Sequence, residues 1–248
     1  MKLLLLFLLL GSAAFSSEIK IAVAANVSYA IKTLVSEFNK TQPSIKVRVT
    51  LGSSGKLTAQ INHGAPYELF MSANMNYPER LYESGLATTE PRVYAKGSLA
   101  YLSVKKRDFK EGLALLSKQE IQKIAIANPK TAPYGIATAE ALKNAGIYEK
   151  LKPKFVYGES ISQTVSFTVT AADVGFIAKS ALFAPSMKQY KKDLNWIDVD
   201  MSLYKPISQG IVILKNGEKR SEVSAFYEFM FSDRAKQILK DYGYEVDE

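Results

Sequence analysis

The chain has 248 residues, enough for one large domain or two small ones, and a formal net charge of +8. It contains no cysteine, which excludes disulfides, thiolate metal ligands and an acylated cysteine anchor. The positive charge favours anionic partners, but the lysines are scattered in short clusters such as residues 105–107 without interleaved aromatic residues. We therefore expect no nucleic-acid partner.

Residues 1–16 have the composition of a secretory signal peptide. Lys2 precedes an apolar run from Leu3 to Leu10, and small residues suited to a cleavage site follow. The run is shorter than the roughly 20 apolar residues that a membrane-spanning helix needs. We expect cleavage after Ser16, or after Ala14, and an exported, soluble mature protein.

Apolar, β-branched runs alternate with helical patterns along the rest of the chain. Buried strands are predicted at residues 19–25, 45–51, 67–73, 123–127, 154–157 and 173–178. The first predicted helix has Ser28 as its N-cap, a middle helix ends at Gly146, and the C-terminal helical segment contains Ser232 or Asp233 as an internal cap. Strands that alternate with helices predict an α/β fold with mostly parallel sheets.

Two segments interrupt this alternation and indicate that the chain crosses between two lobes. They are "VYAKGS" (93–98) and "YKPISQG" (204–210), and an extended run accompanies each. If both are crossings, residues 17–95 and 206–248 form lobe I, and residues 96–205 form lobe II. A ligand cleft is then expected between the lobes.

Four predicted strand-to-helix connections have similar chemistry. Each places hydroxyl, amide or glycine residues at a helix N-terminus: Asn26-Val27-Ser28, Gly52-Ser53-Ser54-Gly55, Pro133-Tyr134-Gly135 and Ser160-Ile161-Ser162. Free N–H groups and the positive end of the helix dipole allow converging N-termini to bind an anion without a charged side chain. Ordinary N-capping explains any one of these connections. Four of them together favour an oxyanion site beyond the carboxyl ends of the strands.

The segment "LGSSGKL" (51–57) has some features of a nucleotide phosphate loop. That motif requires GxxxxGK followed by Ser or Thr. Here Gly52 and Gly55 are only three positions apart, and Leu57 follows Lys56. The segment therefore does not fit a nucleotide-binding loop.

The same segment could instead hold a serine nucleophile with a lysine base. A Ser-Lys hydrolase requires Lys56 to be desolvated beside Ser53 or Ser54, but a lysine that opens a helix normally points to solvent. No GxSxG or HExxH motif is present, and the single histidine, His63, fits a solvated helix end. The favoured interpretation is that Ser54 and backbone N–H groups donate to a bound anion.

Four segments, "IAVAANVSYAIKTLVSEF", "LGSSGKLTAQINHGAPYELFMSAN", "NPKTAPYGIATAEAL" and "DVGFIAKSAL", resemble in order and spacing the periplasmic molybdate-binding proteins of ABC importers. The similarity spans essentially the whole mature chain. It implies a type II periplasmic-binding-protein fold, in which two α/β lobes joined by two crossings close on molybdate or tungstate. It also implies a periplasmic monomer without cofactor or enzymatic activity, which delivers the anion to the membrane permease of an ABC transporter.

The resemblance also implies the anion ligands. Asn26 stands where the family has a Ser or Asn donor, and Ser54 matches a ligand serine. Tyr134 matches a position that gives a backbone N–H, and Ile161 matches an apolar residue that gives only its backbone N–H.

Ser53 and Ser28 are additional candidates for this site. Some family members have a ligand tyrosine where this chain has Ala178, so that contact must be absent. The hydroxyl of Tyr134 is a candidate to replace it.

Three alternatives remain open on the sequence. The first is a receptor for another oxyanion such as sulfate, or for a small carboxylate, although none of the four connections contains the arginine that a carboxylate normally requires. The second is a secreted Ser-Lys hydrolase. The third is a surface interaction protein that uses its basic face, whose binding high salt would weaken.

Overall fold

The computed structural model describes residues 17–247, which form two five-stranded sheets flanked by helices. The predicted signal peptide, residues 1–16, lies outside the described residues. Within residues 17–247, no helix is both long enough and apolar enough to cross a lipid bilayer.

The first sheet has the strand order β2-β1-β3-β10-β4. Its strands are β1 (Ser17–Ala24), β2 (Ile45–Gly52), β3 (Leu69–Met71), β4 (Arg92–Gly97) and β10 (Ile207–Ile213). Its helices are α1 (Ile31–Thr41), α2 (Ser54–Asn62), α3 (Asn76–Glu83), α7 (Ser221–Phe229) and α8 (Asp233–Asp241). Strand β1 is parallel to β2 and β3, whereas β10 is antiparallel to β3 and β4, so only β10 runs against the other four.

The second sheet has the strand order β7-β6-β8-β5-β9. Its strands are β5 (Leu99–Leu102), β6 (Ile124–Ala127), β7 (Phe155–Gly158), β8 (Val174–Ala178) and β9 (Trp196–Asp198). Its helices are α4 (Pro133–Asn144), α5 (Tyr148–Leu151) and α6 (Ile161–Thr170). Strands β5, β6 and β8 are buried along their whole length, as apolar strands covered on both faces should be. Here only β5 runs against the other four strands.

The chain passes between the two sheets twice. Ser98 separates β4 from β5, and residues 199–206 connect β9 to β10. The strand after each crossing is the one that runs against the rest of its sheet, because it enters from the other sheet instead of through a helical crossover. The proposed lobe boundary after residue 95 falls inside β4, which continues to Gly97, and the proposed boundary before residue 206 falls just ahead of β10.

The start of the first helix differs from the prediction. The chain forms a 3-10 turn over Ala25–Tyr29, and α1 begins at Ile31 with Ala30 as its N-cap. The prediction of Ser28 as the N-cap is therefore wrong. The reason is that the backbone turns immediately after β1 and buries the first three residues of the turn before the helix starts.

Two other predicted helix boundaries are confirmed. Ser232 caps α8, since its Oγ accepts a hydrogen bond from the backbone N–H of Ala235 at 3.2 Å. Gly146 follows the C-cap of α4 with a φ of 71°, the left-handed conformation that glycine adopts at low cost.

Candidate functional site

The predicted ligand residues meet in a small cavity at the carboxyl ends of β1, β2, β6 and β7, with walls from both sheets. It is lined by Ala24, Ala25, Asn26, Ser53, Ser54, Ala73, Ala132, Pro133, Tyr134 and Ile161. The cavity therefore contains all four predicted ligands and one of the two additional candidates, Ser53. The other, Ser28, is not in this lining and instead contributes to an open groove beside α1 and β2.

Ser54 and Ser53 bring hydroxyl groups to the cavity at the N-terminus of α2. Ser54 is fully buried, and its Oγ accepts a hydrogen bond from the backbone N–H of Ala73 at 3.0 Å. Because a hydroxyl both accepts and donates, this bond leaves the hydrogen of Ser54 available to a ligand. The Oγ of Ser53 is buried and has no hydrogen-bond partner within residues 17–247. An anion at the cavity would satisfy both groups.

Tyr134 and Ile161 bring backbone donors from the second sheet. Tyr134 is the second residue of α4, after Pro133, and Ile161 is the first residue of α6. N–H groups in the first turn of a helix have no carbonyl partner within that helix, and the helix dipole is positive at this end. The apolar side chain of Ile161 cannot donate, so the donor that this residue offers is its backbone N–H. Ser160 caps α6 by accepting from the N–H of Gln163 at 3.3 Å.

The hydroxyl of Tyr134 lies at the crossing between β4 and β5. A Cβ atom added to Gly97 would overlap it, and Gln209 Nε2 donates to it at 3.4 Å. Burial raises the pKa of Tyr134 well above 10.0, so the hydroxyl keeps its proton at neutral pH. The hydroxyl of Tyr134, the candidate to replace the tyrosine missing at Ala178, is therefore engaged with Gln209, and the backbone N–H of Tyr134 is a donor in the first turn of α4.

Asn26 lines the cavity from the 3-10 turn after β1 and belongs to a buried hydrogen-bond network. Its Nδ2 donates to Gln209 Oε1 at 2.8 Å and to the hydroxyl of Tyr244 at 3.1 Å. Its backbone carbonyl accepts from the hydroxyl of Tyr244 at 2.9 Å and from Ser180 Oγ at 3.3 Å. Gln209, Tyr244 and Ser180 were not predicted from the sequence as members of this network. The available signal was an amide side chain, Gln209, in the mostly apolar run "ISQGIVI".

The two lobes also touch beside the cavity. The backbone N–H of Gly55 donates to the carbonyl of Thr131 at 2.9 Å, and Lys56 forms an ion pair with Glu159. The side chain of Lys56 is 52% exposed, so it is neither desolvated nor paired with a serine hydroxyl. A Ser-Lys hydrolase needs both conditions, and this geometry therefore does not support one.

The chemistry of the cavity is that of a neutral donor site. The lining contains no charged side chain, and residues 17–247 contain no group of three or more His, Cys, Asp or Glu side chains that could hold a metal ion. Hydroxyl and backbone N–H donors from both lobes suit an anion that accepts hydrogen bonds on several sides.

Comparisons with known proteins agree with this geometry. The chain is 36% identical to the molybdate-binding protein ModA of Azotobacter vinelandii, over 95% of this chain and 93% of that protein. It is 36% identical to ModA of Rhodobacter capsulatus, over 94% of this chain and 90% of that protein. A solved structure of the Azotobacter vinelandii periplasmic molybdate-binding protein superposes with a TM-score of 0.85 at 31% identity, covering 93% of this chain and 100% of that one.

These matches confirm the predicted resemblance and the predicted two-lobed α/β fold. The family model described as bacterial extracellular solute-binding protein matches residues 19–245, which is nearly the whole of the described chain. The chain therefore belongs to the bacterial extracellular solute-binding protein family.

Proposed function

We propose that this protein captures molybdate or tungstate between its lobes and delivers it to an ABC importer. The observation that carries the proposal is the convergence of four strand ends on one buried, uncharged cavity that both lobes line. The relatives named as molybdate-binding proteins support this choice of anion.

Neutral donors suit reversible capture of a dianion. A hydrogen bond to a charged group contributes about 1.5–3 kcal/mol, so a few fixed donors bind a small oxyanion tightly. Asn26, Ser53 and Ser54 belong to lobe I, whereas Tyr134 and Ile161 belong to lobe II. The full set of donors is assembled only when the lobes are closed, and it separates when they open. Binding and release then require no covalent chemistry, no cofactor and no catalytic residue.

Selectivity follows from the size and protonation of the anion. Molybdate and tungstate are nearly equal in size and larger than sulfate, so donors spaced for the larger tetrahedron leave the oxygens of sulfate short of good hydrogen bonds. Hydrogen phosphate carries a proton that needs an acceptor, and the cavity lining contains no carboxylate to accept it. We expect molybdate and tungstate to bind much more tightly than sulfate or phosphate.

The proposed setting is the periplasm. Residues 1–16 act as a signal peptide that is removed, and the mature protein works as a monomer. The solved relative is named as periplasmic, which supports this location. The partner is the membrane permease of the importer, which receives the anion when the lobes open.

Calorimetric titration of residues 17–248 with molybdate, tungstate, sulfate and phosphate tests the proposal. Asn26→Ala and Ser54→Ala should each weaken tungstate binding by about 10- to 150-fold, the equivalent of one hydrogen bond to a charged ligand. Ser28→Ala is the matched control, because Ser28 lies outside the cavity lining and its replacement should leave the affinity unchanged. Tight binding of sulfate in place of molybdate and tungstate would favour the alternative oxyanion receptor. If none of the four anions binds, the proposed function is wrong.

A further inference from the structure

Gln209 is a fully buried amide of β10 that connects the cavity to both lobes. Its Oε1 accepts from Asn26 Nδ2 and from the hydroxyl of Tyr94, both at 2.8 Å. Its Nε2 donates to the hydroxyl of Tyr134 at 3.4 Å. Asn26 and Tyr94 belong to lobe I and Tyr134 to lobe II, so one side chain contacts an anion-site residue and both sides of the cleft.

In this arrangement the Asn26 side chain has no donor hydrogen left for an anion. Both hydrogens of Asn26 Nδ2 are directed at Gln209 and Tyr244. Its Oδ1 is buried and has no hydrogen-bond partner in the described part of the chain. An oxyanion only accepts hydrogen bonds, so an amide oxygen next to it repels it. Asn26 can donate to the anion only if its amide turns over.

A half-turn of both amides gives Asn26 Oδ1 a partner and releases the Nδ2 hydrogens of Asn26 for a ligand. Asn26 Oδ1 then accepts from Gln209 Nε2 across the same 2.8 Å contact, and Asn26 Nδ2 takes the place of the unpaired oxygen. Gln209 Oε1 accepts from the hydroxyl of Tyr134, and the hydroxyl of Tyr94 accepts from Gln209 Nε2. No other heavy atom has to move, because an amide presents its N and O ends at nearly equal positions.

The tyrosine partners permit this exchange. A phenol hydroxyl both donates and accepts, so its hydrogen can reverse direction without displacing the ring. Burial raises the pKa of Tyr94 well above 10.0 and that of Tyr244 to about 12, so the hydroxyls stay protonated. When the hydroxyl of Tyr244 donates to Asn26 Oδ1, the Asn26 carbonyl still accepts from Ser180 Oγ at 3.3 Å.

We propose that Gln209 is a positioning residue that holds Asn26 in its anion-binding orientation by donating from Nε2 to Asn26 Oδ1. The inference rests on the proposed function, since it names the residue that orients one ligand of that site.

A double-mutant cycle on the mature chain tests this role, with tungstate as the probe. Gln209→Met keeps the side-chain length but removes the amide, and it should weaken binding about tenfold or more. In the Asn26→Ala background the same change should have no further effect, because the residue through which Gln209 acts is gone. Ile211→Val is the control for β10, because it removes buried apolar contacts without touching the network. It should lower the melting temperature and leave the affinity unchanged.

If the effects of Gln209→Met and Asn26→Ala multiply in the double variant, Gln209 does not act through Asn26 and the inference is wrong. If the Gln209→Met variant does not fold, the wild-type protein provides a second test. In the tungstate complex, nuclear Overhauser effects should connect the Gln209 side-chain NH₂ to the ring hydrogens of Tyr94. Nuclear Overhauser effects from this NH₂ to the ring of Tyr134, without any to the ring of Tyr94, would overturn the inference. If the wild-type protein binds neither tungstate nor molybdate, the proposed function is overturned as well. If it binds normally but the cycle shows no coupling between Gln209 and Asn26, only the role of Gln209 is overturned.

Discussion

Replacement of Gly55 by alanine should block closure of the lobes without harming the fold. Gly55 is the second residue of α2, and its N–H donates to the carbonyl of Thr131 in lobe II at 2.9 Å. A Cβ atom at this position would lie 2.9 Å from that carbonyl oxygen, 3.0 Å from Thr131 Cα and 2.7 Å from the hydroxyl of Tyr77. The end of the tyrosine side chain can move aside. The backbone of Thr131 can withdraw only if the lobes separate.

The expected effects on affinity and on stability differ. Overpacking of a close contact costs about 1–3 kcal/mol, so tungstate affinity should fall by about 5- to 150-fold. The free energy of unfolding of the anion-free protein should stay the same or rise by up to about 1 kcal/mol, because alanine favours a helix more than glycine does. A change that weakens binding while it preserves stability identifies a closure contact.

Calorimetric titration and thermal unfolding of the same variants measure the two effects. Lys56→Ala is the matched control, because it removes only the exposed ion pair with Glu159 at the same junction. Such pairs contribute about 0–1 kcal/mol, so its affinity should change by about fivefold or less. If Gly55→Ala binds tungstate as tightly as the wild type, the contact with Thr131 does not limit closure and the reasoning is refuted.

Three further predictions concern groups around the cavity. Ser53→Ala should weaken tungstate binding without lowering the free energy of unfolding of the anion-free protein, because the Ser53 Oγ has no partner within residues 17–247. Ser54→Ala should lower both the free energy of tungstate binding and the free energy of unfolding by about 1–3 kcal/mol, because its Oγ accepts from the N–H of Ala73. Denaturant titrations with and without tungstate measure both effects. Gly97→Ala should weaken binding and lower the melting temperature, since its Cβ overlaps the hydroxyl of Tyr134. Burial raises the pKa of Tyr244 from 10.0 to about 12, so the unfolded chain loses this proton first. Stability should therefore fall by about 2–3 kcal/mol between those pH values, and Tyr244→Phe should reduce the slope in urea unfolding.

The cavity lining was predictable because its residues follow strands in the chain. Parallel strands place their carboxyl ends at one edge, so polar or glycine-rich segments after several strands must approach one another. That rule alone predicts that Asn26 and Ser54 lie close together at the edge of one sheet, and that Tyr134 and Ile161 lie close together at the edge of the other. The lobe crossings were also visible, since "VYAKGS" and "YKPISQG" interrupt the alternation of strands and helices.

The network behind the cavity was not predictable in the same way. Gln209 and Asn26 are 183 positions apart, and their contact depends on the antiparallel insertion of β10 beside β3. Tyr94 and Tyr244 meet the same network from β4 and from the C-terminal segment after α8. No local pattern marks such partners. A buried amide in an apolar strand is the one sign in the sequence that a partner must exist.

The energies of these contacts indicate what closes the lobes. The direct polar contacts between the lobes at the cavity are individually modest. The backbone hydrogen bond from Gly55, the long one from Gln209, and those that join Ser180 to the Asn26 carbonyl and to the Tyr244 hydroxyl contribute about 0.5–1.5 kcal/mol each. The exposed Lys56 ion pair contributes about 0–1 kcal/mol. A shift of a two-state equilibrium from 1:99 to 99:1 requires about 5.5 kcal/mol of differential binding. Four hydrogen bonds to a dianion, at about 1.5–3 kcal/mol each, exceed that requirement, although each lobe alone offers only part of the set. The anion should therefore be the main source of closure energy. For the same reason, a partner that separates the lobes by a small distance would remove most of the affinity at once.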